Sequence, residues 1–108
     1  PQFKNKSSGR FFGFHIHEGT SCTGNKQDPF AYAKTHLNPI NSNHPYHSGD
    51  LPPLIEHNGH AYMSILIGKF DIDDILGKTI IIHEMPDDFT TQPGGNAGAK
   101  IACGVIKK

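Results

Sequence analysis

Histidine is the residue that stands out in this chain: there are eight in 108 residues, against no tryptophan and two methionines. Imidazole is the commonest protein metal ligand and the side chain that titrates nearest neutrality, so a metal site is the first chemistry to test. The spacing of the histidines sorts them. His15 and His17 lie two apart in an alternating segment, so both imidazoles project from one face of a strand and can reach one ion. On a half-exposed strand the same pair would be two surface side chains. His83 closes a second strand-like run and can face the same point if the two strands are sheet neighbours. His36 sits in Lys-Thr-His-Leu-Asn-Pro at 34–39. The tightest signal is His44-Pro45-Tyr46-His47-Ser48-Gly49-Asp50, where two imidazoles and a carboxylate recur every three residues in a turn-forming segment. Three such ligands and one donated from elsewhere make a closed tetrahedral zinc site. His57 and His60 flank a turn, and exposure there accounts for them without a metal.

Strands must position these side chains. Residues 11–17 alternate, with Phe12, Phe14 and Ile16 pointing one way and Phe11, Gly13, His15 and His17 the other. Residues 54–60 and 61–67 read as two strands around the Asn58-Gly59 hairpin turn. Residues 78–83 are β-branched, with Thr79, Ile81 and His83 on one face, and residues 101–106 make a last short strand. Residues 18–53 are rich in Gly, Asn, Pro, Ser and His and show no strand. A loop of that length is functional or disordered, and ligation of a metal would order it. No apolar pattern keeps a helical period. The prediction is one all-β domain spanning residues 1–108, a sandwich or barrel with one long loop carrying the chemistry.

Ten acidic side chains balance ten basic ones at a pI near 7.5. Binding to nucleic acid or to a membrane surface wants a basic stripe, and no lysine- or arginine-rich block is present. No apolar run approaches the roughly 18 residues of a membrane-spanning helix, and the opening residues do not read as a signal segment. Cys22 and Cys103 are far apart, unlike the close pairs of zinc ribbons or thioredoxin-like centres. They form either a long-range disulfide, which implies an oxidising compartment, or two reduced core cysteines.

Taken together, the ordered motifs resemble the copper/zinc superoxide dismutases of bacterial type. The resemblance runs from Gly13 to Ile106 through Gly-Phe-His-Ile-His-Glu at 13–18, Cys22, Lys-Thr-His-Leu-Asn-Pro at 34–39 and His44. It continues through His-Ser-Gly-Asp-Leu-Pro at 47–52, Ile-His-Glu at 82–84, Asp87-Asp88, and Gln-Pro-Gly-Gly-Asn-Ala-Gly-Ala-Lys-Ile-Ala-Cys-Gly-Val-Ile at 92–106. The resemblance implies a Greek-key, immunoglobulin-like sandwich or barrel. It implies that His15, His17, His36 and His83 ligate copper, and that His36, His44, His47 and Asp50 ligate zinc. His36 would then bridge the two ions as an imidazolate, which suits both metals because zinc lowers the cost of the anionic ring. Asp87 matches the family aspartate that accepts hydrogen bonds from one copper and one zinc ligand, here His15 and His44, fixing their tautomers. Cys22 and Cys103 match the family's intrasubunit disulfide. The implied reaction converts superoxide to oxygen and hydrogen peroxide, with His36 also carrying a proton. Export is implied too, giving an extracytoplasmic or secreted protein.

Departures from the family set further expectations. Lys100 stands where the family has its active-site arginine. An ammonium still attracts an anion but lacks the rigid guanidinium fork, so activity is expected to fall by up to about tenfold, or roughly 1.4 kcal/mol. Residues 89–98 carry no charge, where longer charged loops guide the anion in much of the family. Only a short strand, at residues 2–6, can precede the His15 strand, so the barrel is truncated and lacks most of its first three strands. Tyr62, Ser64, Leu66 and their neighbours then lack partners on one side. A second copy is expected to cover them, giving a homo-oligomer. The rival to an enzyme is a dismutase-like domain that binds copper and zinc with little or no turnover.

Overall fold

The computed structural model describes residues 10–107. Arg10–Phe12 (β1) and Phe14–His17 (β2) are separate strands in different sheets, where the alternation of residues 11–17 predicts one. β1 pairs antiparallel with Leu54–His57 (β3), and β2 with Thr79–His83 (β5). The chain changes sheet at Gly13, whose N–H donates to Met85 O and whose carbonyl accepts from His83 N–H, each at 2.8 Å. Phe12 and Ile16 are both buried on either side of the crossing, so the two-residue period continues through it and hides it.

Two antiparallel three-stranded sheets result. One is ordered β1-β3-β4, with β4 at His60–Ala61, and the other β2-β5-β6, with β6 at Lys100–Val105. Phe12, Leu54 and Ile82 form a buried cluster joining the two, with Phe14, Ala61, Met63 and Ala102 against it. A second cluster, Ile16, Leu37, Leu51 and Ile75, anchors the long loop to β2. Burying each such side chain is worth about 1.5–3 kcal/mol.

The hairpin between β3 and β4 turns at Asn58 and Gly59, both with positive φ (53° and 83°), as a tight two-residue hairpin turn requires. The expected strand at 61–67 stops at Ala61. Residues 62–67 have no ladder partner among the described residues, and Tyr62 and Leu66 are 88% and 100% exposed. The expected strand at residues 2–6 lies outside the described residues. Two short helical pieces appear that the sequence pattern does not predict: a 3-10 turn at Ala31–Ala33 and the helix Ile72–Ile75 (α1). Four residues are too few to show a helical period in sequence. What stabilises α1 at its start is the reciprocal Asp71/Asp74 capping box. Among the described residues no helix is long and apolar enough to cross a membrane.

Candidate metal centre

Residues 18–53 hold little regular structure, yet backbone hydrogen bonds fix their ends on β2. Leu37 N–H donates to Ile16 O, Ile16 N–H to Gly49 O and Glu18 N–H to Thr35 O, each at 2.8 Å. These lay His36 beside His17 and Asp50 beside His15 as isolated antiparallel bridges. Cys22 and Cys103 form a disulfide with Cα atoms 5.7 Å apart, tying the loop to β6 across 81 residues. In the chain-entropy account, closing a loop of that length is worth roughly 4 kcal/mol.

On β2, Phe14 and Ile16 turn to the apolar clusters, so His15 and His17 turn to the opposite face. β5 is the hydrogen-bonded neighbour of β2, and a register irregularity between Ile82 and His83 sets His83 opposite Lys100. His15, His17, His36 and His83 thereby converge, each buried, with one ligand atom apiece lying within 4.8 Å of the others. A second group of the same compactness is His15, His36, His44 and Asp50. His47 lies against it, with Nδ1 at 3.0 Å from Asp50 Oδ2 and 3.2 Å from His36 Nδ1. His15 and His36 belong to both groups. His36 Nδ1 engages Asp50 Oδ1 at 2.8 Å, which leaves Nε2 for the group with His17 and His83.

Asp87 accepts from His15 Nε2 at 2.8 Å and from His44 Nε2 at 2.7 Å. Both rings are thereby held with Nε2 protonated and Nδ1 a bare lone pair. Those two Nδ1 atoms are buried and have no hydrogen-bond partner among the described residues. His44 Nδ1 instead lies 3.0 Å from Asp50 Oδ2. His17 Nδ1 donates to Lys34 O at 2.9 Å and His83 Nδ1 to Gly98 O at 3.1 Å, leaving their Nε2 atoms facing each other at 3.3 Å. Buried lone pairs left unpaired or aimed at one another are costly unless a cation lies among them. The donor set is imidazole nitrogens on one side and imidazole plus one carboxylate on the other, which suits copper and zinc respectively.

The electrostatics point the same way. Burial, then the neighbouring His36, push His15 down to about 4. Burial likewise pushes His17 down to about 3, against the Lys34 carbonyl that favours its proton. His47 and His83 are lowered, burial again being the largest cause. For Asp50 burial acts upward, but hydrogen bonding from His36 and the charges of His36, His44 and His47 outweigh it and hold the group at about 2. Asp87 is also lowered, its burial outweighed by hydrogen bonds from His15, His44 and the Phe89 N–H. At neutral pH His15, His17, His47 and His83 are therefore neutral imidazoles, and Asp50 and Asp87 are ionised.

Side chains that the sequence did not single out complete the centre. Lys69 Nζ donates to the carbonyls of Asp50, His47 and Pro45 at 2.8, 3.3 and 3.4 Å, clamping the His44–Asp50 segment from behind. A lone lysine in an unpatterned stretch gives no sequence signal of this. Gly95, at φ 71°, passes so close that a Cβ there would land on the Asp87 carboxylate. An open cleft of about 730 Å³ leads to the histidines and is lined by His17, His36, His47 and His83 together with Lys34, Lys100, Glu18 and Asp28. Lys100 is in this cleft but is not a free cation: its Nζ lies 2.7 Å from Asp28 Oδ2. His57 and His60 remain exposed at the hairpin, away from both groups.

Two antiparallel sheets that present overlapping four-ligand groups of histidine and aspartate define a β domain with a candidate two-metal centre. The family model described as copper/zinc superoxide dismutase (SODC) matches residues 1–106, and the chain belongs to that family. It is similar to the superoxide dismutase [Cu-Zn] of Pasteurella multocida, 35% identical over 122 residues that cover 99% of this chain and 65% of that protein. It is equally similar to the superoxide dismutase-like protein YojM of Bacillus subtilis, 35% identical over 114 residues, 91% of this chain and 56% of that one. The crystal structure of the Cu/Zn superoxide dismutase from Brucella abortus superposes with a TM-score of 0.80 at 30% identity, covering 94% of this chain and 75% of that chain. The chain thus spans less than two thirds of the length of these curated relatives.

Proposed function

We propose that this chain dismutes superoxide at a paired metal centre, with His15, His17, His36 and His83 holding copper and His36, His44, His47 and Asp50 holding zinc. The observation that carries this reading is His36: two buried rings, His15 and His36, belong to both ligand groups, but His15 commits Nε2 to Asp87, so of the two only His36 has a nitrogen to offer each side. Bound copper supplies a one-electron couple able to take an electron from one superoxide and give it to another, while zinc supplies a redox-inert charge. The chain does the rest. Asp87 locks the tautomers of His15 and His44, and the Lys34 and Gly98 carbonyls lock those of His17 and His83. Lys69 and the disulfide hold the zinc-side loop in place. His36 Nε2 is the atom placed to hold a proton for the peroxide product, and Lys100 is the cation at the cleft wall that draws in the anion. The same disulfide supports an oxidising, extracytoplasmic setting. The exposed Tyr62 and Leu66 support a second copy as the partner that covers this face.

A second reading, a dismutase-like protein that binds copper and zinc with little turnover, is favoured by one observation: the Lys100 ammonium is already engaged by Asp28. Superoxide decay separates the two readings. Protein loaded with both metals is expected to outpace the same copper free in solution, and His83→Ala to lose that advantage. Decay no faster than with free copper would leave only the binding reading.

A further inference from the structure

We propose that Asp28 is a built-in competitor for the anion site at Lys100, setting how tightly the cleft takes a small anion. The inference rests on the reading of Lys100 as the anion-attracting group and adds a residue to it.

The contact is short, 2.7 Å between Lys100 Nζ and Asp28 Oδ2, and lies 72 residues apart in sequence. The Asp28 carboxylate is aimed rather than drifting. Its Oδ1 accepts from Phe30 N–H at 3.0 Å, which leaves Oδ2 for Lys100. Its backbone is fixed from both directions: Asp28 N–H donates to Asn25 Oδ1, and Asp28 O accepts from Asn25 and Ala31 N–H groups, all within 3.1 Å. The disulfide brings the two side chains together, because Cys22 precedes the Asp28 turn and Cys103 follows Lys100 on β6. The Lys100 side chain is 16% exposed and that of Asp28 40%, so the pair sits at the cleft wall where an entering anion meets it. The ammonium beside Asp28 holds its carboxyl below the usual range, so it is ionised throughout the neutral region.

The charges of the cleft then nearly cancel. Among the side chains lining it, the lysines Lys34 and Lys100 are matched by the carboxylates Glu18 and Asp28. A cleft steers an anion by the excess of one sign along its walls, and here the excess is removed by one carboxylate. A lone ion pair at a cleft wall open to solvent adds little to stability, so an arriving anion can displace it. Asp28 thus lowers anion affinity without blocking the cleft.

Azide titration of the copper- and zinc-loaded protein, followed by its visible absorption, tests this. Asp28→Asn keeps an oxygen for the Phe30 N–H and removes the charge. It is expected to tighten azide binding by roughly three- to tenfold at low ionic strength, with the gain shrinking above about 0.1 M salt. The gain is expected to vanish in a Lys100→Gln background. Equal azide affinity in wild type and Asp28→Asn overturns the proposal, as does an undiminished gain without Lys100. If Asp28→Asn does not fold, Asp28→Ser, whose hydroxyl also accepts from Phe30 N–H, takes its place with the same expectations. Tighter azide in a protein without superoxide turnover would keep the competitor and sink the dismutase reading; turnover with unchanged azide affinity would do the reverse. A chain that takes up no copper overturns both.

Discussion

The two sides of the molecule are built on different terms. On the β2-β5-β6 side the buried histidines are held by named partners, with only the Nδ1 atoms of His15 and His44 left without a hydrogen bond among the described residues: Asp87 takes two histidines, the Lys34 and Gly98 carbonyls take two more, and Lys69 takes three carbonyls of the loop. On the β1-β3-β4 side the edge beyond Ala61 has no partner among the described residues, and large apolar side chains face outward. A polar network fixes one geometry because each lost partner is costly, whereas an apolar face only needs some cover and does not specify which. The histidine side is therefore rigid in its chemistry, and the other side is open in its associations.

The largest test of this contrast is acid on the metal-stripped protein. His15 and His17 titrate at about 4 and about 3 when folded, against 6.5 when unfolded. As pH falls below 6.5 the unfolded chain binds protons that the folded chain refuses. The stability is therefore fully present above 6.5 and is lost as pH falls toward 4 and 3. Asp50, held at about 2 against 3.8, adds a further loss in the same direction below pH 4. Every tenfold difference in proton affinity between the folded and unfolded chain is worth about 1.4 kcal/mol, so the loss amounts to several kcal/mol. Denaturant midpoints measured in chelator are expected to hold level down to about pH 6.5 and to drop steadily from there to pH 4, and a flat profile would mean that the imidazoles are not desolvated. The smallest effect is on the open side. Leu66→Ser, at a fully exposed position, is expected to change folding stability by less than about 0.5 kcal/mol. The same change is expected to shift the sedimentation equilibrium toward monomer. A wild-type chain already monomeric at micromolar concentration would break the second-copy reading.

Much of the centre was legible because its spacing carries geometry. Two residues on one strand face share a side, so His15 and His17 could be paired from sequence, and three-residue steps in a turn could gather His44, His47 and Asp50. The roles of His36, Asp87 and the cysteines came from the family's ordered motifs, since nothing local to them states a partner. The sheet change at Gly13 was not legible, because alternation is preserved across it. Nor was the short α1 helix, or the end of the strand at Ala61, which depends on whether a neighbouring strand is there to pair. Lys69 and Asp28 were invisible for a similar reason. Their contacts, 19 and 72 residues away, are products of the fold and the disulfide. Lys100 was legible as a cleft residue by motif, but its pairing with Asp28 was not.

Equilibrium metal titration of wild type, His83→Ala and His36→Ala tests the shared ring most directly. The wild type is predicted to hold one copper and one zinc per chain, His83→Ala to lose copper affinity alone, and His36→Ala to weaken both metals together. Loss of only one metal on removing His36 would contradict the account.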